Sequence, residues 1–240
     1  MKTTLKLILF AIPVLFLSCQ KDEVAPSVAS SITSSGTLSG TISGYAPNTV
    51  DSVKAKVYVS LIGTCKVSST GEFSVGLSIP ELYMIHSLSG VNVSDTTAMT
   101  GTLAVACFNK GVFYSELSKS SCSQDSLVMP GMSASSFVYS DRDLTLKGVH
   151  SDTYTSDGFS WSDVRTYQIT LKKGWNELID KTNSYSISTT SVVYTHTISN
   201  TVTSNLKWRY SNNGYFMNQV KKSGIPTVKL LKVFPLLRSK

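Results

Sequence analysis

The chain has 240 residues, only 15% of them charged, and a formal net charge of +7. That charge is uneven: Lys2 and Lys6 open the chain, and Lys207, Arg209, Lys221, Lys222, Lys229, Lys232, Arg238 and Lys240 crowd an acid-free end, so residues 19–206 hold 12 bases against 15 acids. A body of net −3 argues against nucleic-acid binding, which needs a basic face on the domain itself.

The N-terminus reads in zones. Lys2 and Lys6 precede the apolar run Leu7–Leu17, whose 11 residues fall well short of the about 20 needed to span a bilayer as a helix. A charged start, a short apolar middle and the small Ser18 describe a secretory signal over 1–18, removed from the mature chain. The residue after the expected cut is Cys19, within "LFLSCQKDEV".

A cut before cysteine resembles the bacterial lipoprotein signal, or lipobox. The resemblance implies a diacylglyceryl group on the Cys19 thiol and acylation of its new amine. Phe16 stands where most lipoboxes have Leu. Each buried CH₂ contributes about 0.8 kcal/mol, so two or more acyl chains anchor stably where one is marginal. Gln20, Lys21, Asp22 and Glu23 then resemble the lipoprotein export signal of Bacteroidota. That implies a lipid-anchored protein of the outer membrane, facing the cell exterior. The plainer reading is that Lys-Asp-Glu is ordinary composition for the solvated start of a tether.

Residues 19–36 are rich in Ser, Ala, Pro and Gly and read as a flexible tether. In "SVKAKVYVSL", Val53, Ala55, Val57, Val59 and Leu61 alternate with Ser52, Lys54, Lys56, Tyr58 and Ser60, which predicts one half-buried strand. "CKV" and "GEFSVGLSI" predict strands around a turn at Ser68–Gly71. Pro80 suits the first turn of a short helix through "ELYMIHSL". "TGTLAVACF" is apolar on both faces and predicts a central strand. "SSFVYSD" and "DLTLKG" predict two strands around Asp141–Asp143. "TYQITLKKGW" places Tyr167, Ile169 and Leu171 inward, and "SYSISTT", "SVVYTHTIS" and "LKWRYS" add further strands. Short strands with turns every ten or so residues predict an all-β, antiparallel sandwich with little helix, as one large unit or two small ones. The expected divisions are an N-terminal sandwich over 37–130, a β region over 131–212 packing with or following it, and a basic tail over 213–240.

"LSGTISGY", "GTCKVSSTGEFSVGLSIP", "FVYSDRDLTLKG" and "YQITLKKGWNEL" together resemble a recurrent pattern of uncharacterised Bacteroidota lipoproteins. The first part is similar to a carboxypeptidase-regulatory or transthyretin-like sandwich. The family has no established activity, so the resemblance carries over no catalytic residue, and its fold class implies scaffolding or binding by analogy alone. The tail, "IPTVKLLKVFPLLRSK", departs from that pattern. Pro226 and Pro235 forbid one long helix there. It reads either as an added extension or, with its mixed bases and apolar residues, as a segment suited to an anionic membrane.

Five kinds of candidate residue stand out. His86, His150 and His196 lack the spacing of a triad or a metal site, and read as scattered surface or capping residues. Asp141 and Asp143 offer hard oxygens to a cation, with Asp152, Asp157 and Asp163 downstream, but Asp in a turn ordinarily binds neighbouring backbone amides. Trp161, with Tyr154 and Phe159 nearby in "SDGFSWSD", is the candidate for stacking on a sugar ring, whereas Trp175 reads as a core plug. Ser52, Thr96 and Ser126 each follow Asp in runs resembling the Bacteroidota O-glycosylation acceptor. Of the cysteines, Cys65, Cys107 and Cys122 remain after Cys19, so at most one internal disulfide can form, and Cys107 in "LAVACF" reads as a buried small hydrophobe. These residues predict no cofactor, no metal and no catalytic group. The expected function is a non-catalytic binding module for glycan or another envelope or host ligand, with the membrane as partner through Cys19. The alternative is a structural or adhesin-like accessory subunit of an outer-membrane complex.

Overall fold

A computed structural model describes residues 32–33, 36–85, 89–122, 129–201 and 205–211. Cys19, the Gln20–Glu23 patch, His86, Ser126 and the tail 213–240 lie outside the described residues. Those described form fourteen strands and no helix: β1 (Thr37–Thr41), β2 (Ser52–Val57), β3 (Ser60–Lys66), β4 (Glu72–Gly76), β5 (Tyr83–Met84), β6 (Val91–Val93), β7 (Met99–Asn109), β8 (Val112–Ser120), β9 (Ser133–Ser140), β10 (Leu144–Ser156), β11 (Phe159–Leu171), β12 (Gly174–Ile187), β13 (Ser191–Ser199) and β14 (Lys207–Ser211).

β1 and β4 pair alone, and the other twelve strands make one sheet. Its path runs β3-β2-β7-β8-β9-β12-β13-β11-β10-β6, with β14 on β8 and β5 on β7. The protein is an all-β, sandwich-like fold in which antiparallel pairing dominates. The exception among the strand pairs is β11 with β13, which run parallel. Because β9 pairs with both β7 and β8, regions 37–130 and 131–212 share the large sheet.

The period of two along a strand sends adjacent residues to opposite faces. β9 and β12 use it to serve two cores. Phe137 and Trp175 enter the first, with Leu38, Val53, Val57, Phe73, Val75, Val105 and Trp208; Phe137 stacks on Trp208 at 5.5 Å. Val138 and Leu178 enter the second, with Leu144, Leu146, Tyr167, Ile169, Leu171 and Ile198. Fully burying one such Leu, Ile or Phe contributes about 1.5–3 kcal/mol. The inward setting of Tyr167, Ile169 and Leu171 follows the sequence pattern, as does the buried Trp175.

Two expectations are corrected. The alternation over Ser52–Leu61 is not one strand. Tyr58 takes a φ of +52°, the chain turns at Tyr58-Val59, and Val59 and Leu61 are exposed, Val59 at 80%. The period survives the turn by coincidence, because β3 re-enters with a bulge that buries Ile62 instead. No helix follows Pro80 among the described residues: Tyr83 and Met84 form β5 against Met99 and Thr100. A two-sided apolar strand such as β7 offers open backbone groups that outcompete a lone helical turn.

Gly148 sets the outer edge. Its φ is +144°, and a Cβ there would lie 2.0 Å from the Gly90 carbonyl oxygen. β6 pairs with β10 over only Leu146–Gly148. Beyond His150, β10 has no outer strand partner among the described residues.

Candidate functional site

The second core continues upward along β12, β13, β11 and β10 into a surface built by register. β10 and β11 form a hairpin closed by Asp157-Gly158, both at positive φ, as a tight two-residue turn requires. Leu144, Leu146, Ile169 and Leu171 lie at its buried end. On the same face, moving outward, come His150 opposite Arg165, Asp152 opposite Asp163, and Tyr154 opposite Trp161. The parallel pairing sets His196 beside Arg165 and Tyr194 beside Asp163. Across β13, Thr182 faces His196, and Asp180 faces Ile198. A bulge at Asn183 then re-phases β12, so that Tyr185 joins this face opposite Tyr194.

Three tiers result. The apolar floor is the second core. The middle tier is a buried polar network. His196 is 1% exposed; its Nδ1 meets Asp180 Oδ1 at 3.1 Å and Thr182 Oγ1 at 3.5 Å, and its Nε2 faces Asp163 Oδ1 at 3.8 Å. Arg165 donates from Nη2 to Asp163 Oδ2. The outer tier is aromatic. Tyr154 and Trp161 lie 5.8 Å apart, Phe159 and Trp161 4.7 Å, and Tyr185 and Tyr194 5.2 Å in a stacked pair. Tyr154 and Tyr185 are exposed; Phe159, Trp161 and Tyr194 are half-buried.

The electrostatics follow from burial. Loss of water raises the Asp163 carboxyl above its ordinary value, an effect that Arg165 and His196 partly offset and Asp180 reinforces. Burial also opposes the Arg165 charge, but Asp163, Tyr167 and Asp180 reverse that, and its net shift is upward. Burial pushes the Tyr167 phenol up to about 12. Asp163 Oδ1 and His196 Nε2 are buried without a hydrogen-bond partner among the described residues. With both imidazole nitrogens turned to carboxylates, His196 acts as a strut between β12 and β11. A general base needs a nitrogen within reach of a substrate proton.

The structure thus brings together Tyr154, Phe159 and Trp161, which the sequence singled out, with Trp161 in strand β11. It adds Tyr185, Tyr194 and the His196 network. His196 is neither a surface nor a capping residue, while His150 bonds Asp152 Oδ1 at 3.1 Å. One local signal pointed to the network: Asp163 and Arg165 continue the alternation of Tyr167, Ile169 and Leu171, which puts charges on a buried face.

The remaining candidates are placed as follows. Asp141 Oδ1 accepts from the Met99 amide at 2.9 Å and both its oxygens bind Arg142; Asp143 accepts from the Lys173 amide at 2.9 Å and from Lys172 Nζ at 2.7 Å. This is turn chemistry, and no metal-binding group of His, Cys, Asp or Glu occurs among the described residues. Ser52 opens β2 with its hydroxyl on Asp51 Oδ1, and Thr96 is exposed in the turn between β6 and β7. Cys65 and Cys107 flank Val53 from the neighbouring strands as free thiols, and Cys122 is buried. Burial pushes the Cys107 thiol up to about 12. Searches against protein-family models, curated proteins and solved structures return no match.

Proposed function

We propose that this chain is a lipid-anchored outer-membrane protein of Bacteroidota type, held by Cys19 and facing the exterior, whose β-sandwich body is a non-catalytic binding module for glycan. The observation that carries the binding half is the aromatic tier. Five aromatic side chains share one end of one sheet face, next to polar groups, and rigid aromatic faces stack on the apolar faces of sugar rings. The address rests on the sequence of residues 1–23 and on the resemblance to uncharacterised Bacteroidota lipoproteins.

Binding is tested with the purified full-length chain in detergent on a panel of oligosaccharides. Trp161→Ala should weaken the strongest ligand by about tenfold, the order of one stacked aromatic. A panel with no ligand overturns the glycan reading. Anchoring is tested by Cys19→Ala, which should abolish lipid labelling and release the protein from the membrane fraction. Protease shaving of intact cells tests outward exposure.

A second reading, an accessory or adhesin-like subunit, is favoured by the outer edge of β10 beyond His150. An open edge can accept a strand from a partner through backbone hydrogen bonds. Copurification of a stable membrane complex that proline substitution at Thr153 disperses would support it.

A further inference from the structure

We propose that the ligand of the aromatic tier is a cationic saccharide, one bearing a free amino group; this rests on the glycan-binding reading above. The charges that reach this face are acidic. The Asp152 side chain is 58% exposed and Asp163 24%. Asp157 is exposed at the hairpin tip. The bases on the same face are withdrawn: Arg165 is buried and bonded to Asp163, and His150 and His196 are turned to Asp152, Asp163 and Asp180. Lys147 and Lys181 fall at the alternate positions of β10 and β12 and point to the other face.

Register makes the excess local. Asp152 and Asp163 are direct cross-strand partners, an arrangement in which like charges repel. Beneath them Asp163 Oδ1 and His196 Nε2 face each other at 3.8 Å, too far for a hydrogen bond, and neither has one among the described residues. A buried carboxylate oxygen lacking a donor costs free energy that nearby positive charge offsets. Outside them stand Trp161 and Tyr154, and beside Asp163 stands Tyr194, aromatic rings whose faces attract cations. An ammonium seated between Asp152 and this tier meets carboxylate and π-faces together. An acidic sugar meets two carboxylates, and each base of the face is already engaged.

The test uses full-length protein and three size-matched probes: a glucosamine oligomer with free amines, its N-acetylated counterpart, and a uronic acid oligomer. The amine form should bind about tenfold more tightly than the acetylated form, and the uronic form most weakly. Added salt should shrink the preference, because exposed charges are screened. Asp152→Asn, with its fold checked by circular dichroism, should erase the preference. The inference is overturned if the acetylated or uronic form binds as tightly as the amine, or if Asp152→Asn keeps the ratio; glycan binding itself then still stands. Absence of binding by all three probes overturns this inference, while the glycan reading falls only if the whole oligosaccharide panel also yields no ligand.

Discussion

β12 carries a buried charge network on each face, and the two are built differently. On one face Glu177 meets Lys119 Nζ at 2.8 Å and the Ser135 hydroxyl at 2.5 Å, with the Lys119 and Glu177 side chains only 2% and 6% exposed. On the other, Asp180 begins a chain through His196 and Asp163 to Arg165 that crosses three strands and ends under exposed aromatics. The first is compact and sealed, one cation against one anion. The second links two acids and two bases and climbs to the surface. A sealed pair serves packing alone, while the second network has a solvent-facing end, which the proposed binding role requires.

The comparison can be broken by substitution. Of the two networks, Lys119→Met should give the larger loss, about 3–5 kcal/mol, because it strands a buried carboxylate. Chemical denaturation measures it, and adding Glu177→Leu should recover most of the loss. Arg165→Met should cost somewhat less, about 2–4 kcal/mol, since Asp163 reaches solvent and can take up a proton. Equal losses would mean that the two networks are alike.

Acid sharpens the contrast further. Asp141 is held below 3.8 by its hydrogen bond to Arg142, Asp95 by its bond to Thr97, and Asp143 by its bond to Lys172. A depressed folded value means that the unfolded chain binds protons first, so this stability is present above the ordinary value and lost as pH falls below it. Asp163 has the opposite sign. Its folded value is raised, so its cost at neutral pH is relieved as pH falls through that value. Asp141→Asn should therefore flatten the acid-unfolding profile below about pH 4, and Asp163→Asn should steepen it, both read by far-ultraviolet circular dichroism. The smallest expected effect is that of Val59→Asp, within about 0.5 kcal/mol, because that residue tops a turn; Val57→Asp, two residues away in the first core, should unfold the protein.

The sequence made the local parts of this molecule readable. Alternation over Tyr167, Ile169 and Leu171 marked a buried face, and the two-sided apolar run of β7 marked an inner strand. Tyr154, Phe159 and Trp161 could be grouped because one hairpin holds them. Where the pattern misled, a backbone event was hidden in it: the turn at Tyr58-Val59 keeps the period of two intact. His196, Asp180 and Asp163 stayed invisible as a group because their meeting depends on a parallel pairing between strands that are not neighbours in sequence. Tyr185 was hidden by the bulge at Asn183, which shifts its phase by one residue.

That parallel pairing also bears on the order of assembly. β11 and β12 are consecutive and joined only through Lys172 and Lys173, yet they are not paired with each other, because β13 lies between them. The Asn176 amide spans the gap at the joined end, donating to the Lys172 and Gly174 carbonyls at 2.8 and 2.9 Å. In the folded sheet β13 therefore fills a wedge closed at one end, and its contacts with β11 join residues distant in sequence, a kind that is slow to form. Until it seats, Asp163 and Asp180 lie on separate walls. The β10–β11 hairpin alone holds Tyr154, Phe159, Trp161 and the Arg165–Asp163 pair, whereas the link through His196 and the Tyr185–Tyr194 stack exist only once β13 is in place.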